Sequence, residues 1–206
     1  MTRSLWRELL YRELETVQFD GEVLDLGGSR KSGYHALLQG SHSMRVVNLD
    51  AGQGSNYTFD LEQPFPIPDA SFDHVLALNV LEHIFNYQNV LDEAYRVLKP
   101  GGTLVLAVPF LIQLHPSPHD HWRFSKETLG RLLSERNFRE VTVRTIGTGI
   151  FGATSQLQHN LYRFGLLQMA CKWFARAGDA VLGFMKSDSV FSKEYYPLGY
   201  LVTARR

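Results

Sequence analysis

Between residues 23 and 108, short apolar runs closed by glycine or proline alternate with a segment of helical periodicity. Val23-Leu24-Asp25-Leu26 ends at Gly27-Gly28-Ser29, and Arg45-Val46-Val47-Asn48-Leu49-Asp50 ends at Gly52 and Gly54. Phe72 to Leu78 follows a stretch, 62–71, that Pro64, Pro66 and Pro68 keep extended. Over 88–98, Val90, Leu91, Ala94, Tyr95, Val97 and Leu98 repeat at helical spacing; Lys99-Pro100-Gly101-Gly102 then turns the chain into the strand Thr103–Val108. Strands that are apolar throughout and alternate with helices predict an α/β fold: a mostly parallel sheet covered by helices on both faces.

The flanks carry further elements. Residues 4–18 form an amphipathic helix with Trp6, Leu9, Leu10, Leu14 and Val17 near one face, and a short helix is expected around 34–39. Residues 111–123 are irregular, and 125–136 are helical with Ser125 as cap and Glu127 in the first turn. A strand at Val141–Arg144 is followed by an amphipathic, helical stretch over 153–186, with Leu157, Leu161, Phe164, Leu167, Met169, Trp173 and Phe174 as its apolar residues. Leu198–Ala204 reads as a last strand. The 206 residues are expected to form one domain: an N-terminal helix (1–20), a core (23–145), a helical lid or interface segment (146–196) and the final strand (197–206).

Composition narrows the function classes. Hydrophobic residues make up 44% against 20% charged, enough for a packed core. Lys+Arg and Asp+Glu both number 21, so no polyanion-binding surface is indicated and nucleic acid is disfavoured as partner. A single cysteine, Cys171, forms neither an intramolecular disulfide nor a thiolate cluster, which fits a cytoplasmic protein. The N-terminus carries frequent charges instead of a signal-peptide core, and no apolar stretch reaches the roughly 18 residues of a membrane span.

Five short segments carry the chemistry. The strand ending in Gly27-Gly28 lets a ligand approach the backbone closely, or is a plain strand-to-helix turn. Asp50 ends the next strand, 23 residues after Gly27, where a carboxylate can accept both hydroxyls of a ribose, or it merely forms the turn before Ala51-Gly52. Asp60-Leu61, Asn79-Val80-Leu81-Glu82-His83 and Leu98-Lys99-Pro100-Gly101-Gly102 complete the set. A dinucleotide fingerprint counted from Gly27 needs glycine at 29 and 32, where Ser29 and Ser32 stand, so a nicotinamide oxidoreductase is disfavoured.

In these segments residues 23–108 resemble the class I S-adenosylmethionine-dependent methyltransferases of the small type 11 group, above all in PFPIPDASFDHVLALNVLEHI (64–84) and VLKPGG (97–102). The resemblance implies a Rossmann-like three-layer sandwich on a seven-stranded, mostly parallel sheet with a final antiparallel strand. It implies S-adenosylmethionine as cofactor. Asp25, Leu26, Gly27, Gly28 and Ser29 would frame its methionine half, and Asp50 the ribose. Asp60 and Leu61 would take the adenine, Asn79 and Val80 would line the site below the sulfonium, and His83 would sit at its edge. Ser29 stands where the family usually has a second glycine.

The strand ending at Val108 leads into Leu111 to Phe124, which holds three of the eight histidines. Its position puts it over the transferable methyl, and histidine suits proton transfer near neutral pH. His119 is the first candidate base and His115 the second, with Asp120 to orient one of them. Trp122 and Arg123 are candidate acceptor contacts, or else simply pack on the sheet. A metal site from His115, His119 and His121 has irregular spacing, so none is assigned, and Glu82-His83 reads as a catalytic pair or, better, as a helix cap. The expected function is methyl transfer to an oxygen or nitrogen of a small-molecule or glycan-type acceptor; the alternative is a non-catalytic S-adenosylmethionine-binding partner or regulator. Segment 146–196 is read first as a lid, then as a homodimer interface, and last as a membrane-surface helix, for which Arg163, Lys172, Arg176 and Lys186 are too sparse.

Overall fold

The structure is a computed structural model that describes residues 3–29, 31–159, 165–185 and 190–206. Leu161, Phe164, Arg163 and Lys186, assigned above to the helical segment, lie outside the described residues.

Helix α1 (Leu5–Leu14) starts where the Ser4 hydroxyl accepts from the Arg7 amide at 3.3 Å. Seven strands then form one sheet: β1 (Gly21–Leu26), β2 (His42–Asn48), β3 (Tyr57–Thr58), β4 (Phe72–Leu78), β5 (Leu98–Pro109), β6 (Arg139–Ile146) and β7 (Gly199–Arg205). Helix α2 (Tyr87–Val97) joins β4 to β5, and α3 (Lys126–Ser134) precedes β6. Helices α4 (Ile150–Leu157) and α5 (Gly165–Met185) lie between β6 and β7. The order is β3-β2-β1-β4-β5-β7-β6, parallel except for β7, which runs antiparallel to both its neighbours. This is the Rossmann-like sandwich expected above, with its antiparallel last strand.

Side-chain alternation sends each strand's residues to two cores. Leu24, Leu26, Val75, Ala77, Leu104 and Leu106 pack with Val90, Leu91, Ala94 and Val97 of α2 and with Leu129 and Leu133 of α3. Val23, Leu76, Leu78, Val105 and Ala107 pack on the other face with Leu5, Trp6, Leu10 and Leu14 of α1. Strand order reverses between β1 and β4, and the crevice at the carboxyl ends of these strands is where an open α/β sheet binds ligands.

Three elements depart from the sequence reading. Strand β3 is two residues long, too short to leave a periodic signal. Lys99-Pro100-Gly101-Gly102 does not separate helix from strand: β5 begins at Leu98, which pairs with Phe72, and the chain passes a register shift before Thr103 pairs with His74. The stretch around 34–39 gives only a 3-10 turn, His35–Leu37.

Helix α5 has its polarity reversed. Gln168, Lys172 and Asp179 are buried, whereas Leu166, Met169, Trp173, Phe174, Val181 and Phe184 are exposed. Gln168, Lys172 and Asp179 each have partners, Gln168 donating to the His159 carbonyl at 3.2 Å. Lys172 donates to the carbonyl of Arg3 at 2.8 Å and pairs with Glu8, and Arg176 reaches the same carboxylate. The Asp179 carboxylate accepts from the amides of Phe151 and Gly152 and from the Thr148 hydroxyl, so it caps the N-terminus of α4 from a distant helix. No described helix is long and apolar enough to cross a membrane.

Candidate active site

The loop after β1 is built around a buried carboxylate. Asp25 has no exposed surface; its Oδ2 accepts from the Tyr34 hydroxyl at 2.7 Å and from His35 Nε2 at 2.6 Å. Its Oδ1 is buried without a hydrogen-bond partner. Burial pushes the carboxyl's pKa up against the opposing pull of His35 and Tyr34, and burial followed by the charge of Asp25 raises Tyr34. Gly27 has φ +75°, and a Cβ there would lie 2.6 Å from Val80 Cγ2. A Cβ on Gly28 would lie 1.9 Å from Asp25 Oδ2. The two glycines thus let the backbone pass against Val80 and the Asp25 carboxylate, where no side chain fits. Ser29 has no left-handed backbone; its Oγ accepts from the Lys31 amide at 3.1 Å, which closes a tight local turn.

The other predicted ligand residues follow the neighbouring strand ends. Asp50 is exposed two residues beyond β2; its Oδ1 accepts from the Gly52 amide at 2.8 Å, so it does form the turn that was its alternative reading. Asp60 follows β3, is exposed, and its Oδ1 accepts from the Glu62 amide; Leu61 is buried. Asn79 follows β4 with φ +55°, a left-handed conformation that asparagine tolerates better than most residues. Its amide continues the ladder to Ala107, and its Oδ1 accepts from Trp6 Nε1 at 2.9 Å, which ties α1 to this strand end.

A cavity of about 570 Å³ opens beside Asn79. Its walls include Trp6 and Arg7 of α1, His83, His115, Gln156 of α4, and His159. Glu82 lies beneath, fully buried, with Oε1 at 3.7 Å from both His83 Nε2 and His115 Nε2. That is ion-pair distance, beyond a hydrogen bond, and neither carboxylate oxygen has a hydrogen-bond partner. The Glu82 carboxylate raises the His115 pKa, with Gln113's carbonyl and Asp120 adding to it and burial opposing. Burial, then Lys172, lowers His159.

The histidine-rich loop is ordered by its own side chains. Arg123 forks onto both oxygens of Asp120, and this pairing holds the Asp120 carboxyl far below the usual range. Asp120 Oδ2 also accepts from the His115 amide at 2.9 Å and lies 3.3 Å from His115 Nδ1, so the expected orienting acid serves His115. His119 is exposed, its ring 5.3 Å from that of His121, and it is not on the cavity wall; only its carbonyl takes part, 2.6 Å from His83 Nδ1. Trp122 and Arg123, expected to face an acceptor, do not line the cavity either. Trp122 packs against Tyr87, Phe85 and Phe124 and donates to the Ile84 carbonyl, while Asp120 occupies the Arg123 guanidinium. Glu82 caps nothing with its carboxylate; its carbonyl receives the amides of His121 and Trp122.

The profile of a methyltransferase domain family matches residues 24–106. A demethylmenaquinone methyltransferase of Oceanobacillus iheyensis is 34% identical over 178 residues, 84% of this chain and 71% of that one. The chain belongs to the S-adenosylmethionine-dependent methyltransferases of the type 11 group. A probable S-adenosylmethionine-dependent methyltransferase of Mycolicibacterium smegmatis is 29% identical over 120 residues, 53% of this chain, and the match spans only 46%, about half, of that relative. The fold is shared with a SAM-dependent methyltransferase from Archaeoglobus fulgidus, with a TM-score of 0.59 at 16% identity over 97% of this chain and 94% of that one.

S-adenosylmethionine is the family's cofactor, and the loop after β1 fits it. A buried carboxylate with one oxygen unpaired complements an ammonium group, and Gly27 and Gly28 let the loop backbone pack directly on Val80 and on that carboxylate, where a side chain would collide. Sequence reasoning missed Tyr34 and His35, which hold Asp25, and Trp6, Arg7, Gln156 and His159 on the cavity. An aspartate inside an apolar strand demands buried partners, and Tyr34-His35 were the nearest candidates. Trp6, Gln156 and His159 meet only through tertiary packing.

Proposed function

We propose that the chain transfers the methyl group of S-adenosylmethionine to an oxygen or nitrogen of a small-molecule or glycan-type acceptor held in the cavity beside Asn79. The supporting observation is that Asn79, just past β4, lines the cavity while its neighbour Val80 packs against Gly27 of the loop after β1. Asp25 would hold the amino end of the cofactor, Gly27 and Gly28 its methionine backbone, Asp50 the ribose hydroxyls, and Asp60 with Leu61 the adenine. The bound cofactor supplies an electrophilic methyl on a sulfonium, so the protein's task is to align the acceptor and exclude water. Asn79 and His115 orient the acceptor atom, and its proton leaves toward the bases Glu82, His83 and His115. Arg3 and Arg7 on the wall favour an acceptor carrying negative charge. The uncharged outer face of α5 is the surface through which two copies would pair.

Titration calorimetry and a methyl-transfer screen test this reading. Asp50→Ala should weaken cofactor binding roughly ten- to a hundredfold, the cost of losing charge-assisted hydrogen bonds. With an acceptor in hand, His115→Ala should lower turnover on the order of 10²-fold or more while leaving cofactor affinity close to the parent's, and His119→Ala should do neither. Unchanged affinity in folded Asp50→Ala, or full turnover in His115→Ala, contradicts the assignment.

A further inference from the structure

Glu82 poses a problem that methyl transfer alone does not answer. A fully buried carboxylate with neither oxygen hydrogen-bonded is costly unless something positive meets it. What meets it is a pair of imidazoles. His83 places Nδ1 at 2.6 Å from the His119 carbonyl; a carbonyl only accepts, so Nδ1 carries a proton, and in the neutral ring Nε2 keeps its lone pair. His115 places Nδ1 at 3.2 Å from the Gln113 carbonyl and 3.3 Å from Asp120 Oδ2, with the same consequence. In their neutral forms both rings leave Nε2 as the free ligand atom, 3.7 Å from Glu82 Oε1, and the three ligand atoms lie within 4.8 Å of one another.

We propose that Glu82, His83 and His115 bind a divalent transition-metal ion. Each imidazole is oriented by a partner on its far nitrogen, the arrangement that metal-bound histidines show, and the carboxylate is already desolvated. Metal–ligand bonds of about 2.0–2.2 Å bring ligand atoms closer than these separations, so closing the site needs a small inward rotation. His115, half-buried on a loop, is the residue free to make it. Two nitrogens and one oxygen suit an ion of the manganese, iron, cobalt or zinc class better than magnesium or calcium. Three protein ligands on the wall of a cavity leave coordination positions open to what the cavity holds. With the ion bound, the three side chains act through it and no longer as free bases: an acceptor hydroxyl on the ion is fixed in place and gives up its proton to water more readily. That role rests on the methyl-transfer reading; the site itself rests on the ligand geometry alone. It also differs from a set of His115, His119 and His121, because the last two rings pack on each other outside the cavity.

The test is a Co²⁺ titration of the full chain after chelator treatment, followed by visible absorption and by calorimetry. The parent should show one saturable site and melt at a higher temperature with Co²⁺ present. Glu82→Gln and His115→Ala should weaken binding at least tenfold and abolish the shift in melting. Asp120→Asn, which weakens the outer partner of His115 together with the Arg123 fork that seats the loop, should weaken binding about tenfold. His121→Ala should bind like the parent. If Glu82→Gln fails to fold by circular dichroism, His83→Ala and His115→Ala decide the matter. No saturable Co²⁺ binding, or parent-like binding in the His115→Ala and Glu82→Gln variants, overturns the site. S-adenosylhomocysteine titrated into the same metal-free protein is a separate readout: its failure to bind sinks the methyl-transfer reading and leaves the metal result standing.

Discussion

Gly28→Ala is the sharpest probe of the cradle. The added Cβ would sit 1.9 Å from Asp25 Oδ2 and 2.8 Å from the Tyr34 hydroxyl oxygen. The first distance is about 1.5 Å short of ordinary contact, so either the loop or the carboxylate must move. Moving the carboxylate breaks its hydrogen bonds of 2.7 Å from Tyr34 and 2.6 Å from His35 in a buried setting. Hydrogen bonds to charged groups contribute about 1.5–3 kcal/mol each, and losing both while the carboxylate stays buried costs about 3 kcal/mol or more. In a chain of this length that lowers the melting temperature by roughly 6–12 °C. If the loop moves instead, the cofactor surface moves with it and affinity falls at least tenfold. Differential scanning calorimetry and titration with S-adenosylmethionine read the two outcomes. A variant that melts within about 2 °C of the parent, against the shift expected for such losses, and binds the cofactor equally well would refute the reasoning.

Other changes test separate parts. Ser29→Gly removes the Oγ that accepts from Lys31; cofactor binding should be equal or tighter, with stability lowered by up to about 1 kcal/mol through added chain freedom, and a large loss of affinity would place the hydroxyl on the cofactor instead. Glu93 accepts from Arg96 and from the Phe65 amide, and its pKa is lowered chiefly by Arg96. Its stabilisation is therefore present above the unfolded carboxyl's pKa and fades as pH falls through the lower folded value. Glu93→Gln should cost about 1–2 kcal/mol in urea melts at pH 7 and progressively less as pH falls below the unfolded carboxyl's range, and a gap that does not narrow with acidification would exclude the ionised pair as the cause. Phe174→Glu, on the exposed apolar face of α5, should convert a dimeric parent to a folded monomer by light scattering; a monomeric parent would remove α5 as a homodimer contact.

Much of the sheet was legible because its strands are buried on both faces and read as unbroken apolar runs; β4 is found at Phe72–Leu78, as read. What escaped depends on partners distant in sequence. Strand β5 starts at Leu98 because β4 and the C-terminal Arg206 supply partners around a stretch that looks like a turn: Phe72 pairs with Leu98, and Gly101 and Gly102 exchange backbone bonds with Arg206. Helix α4 starts at Ile150, ahead of the expected segment, because Asp179 caps it from α5. In the site, the glycines and Asp50 were read from their strand-end positions and spacing, and Asp25, Asp60 and Asn79 were expected from the family resemblance. The histidine loop did not. Its residue types announce proton or metal chemistry, but which ring faces the cavity is decided by the Asp120–Arg123 fork and by His83 seizing the His119 carbonyl. Those contacts turn His115 inward and leave His119 outside.

The central claim is that the cofactor binds across the β1 and β4 ends with its sulfur facing the cavity. A crystal structure with S-adenosylhomocysteine tests it most directly. The account predicts the product's amino end at Asp25, its backbone along Gly27 and Gly28, its ribose at Asp50, and its sulfur open toward Asn79 and His115. A product bound elsewhere, or one whose sulfur is walled off from the 570 Å³ cavity, would contradict it.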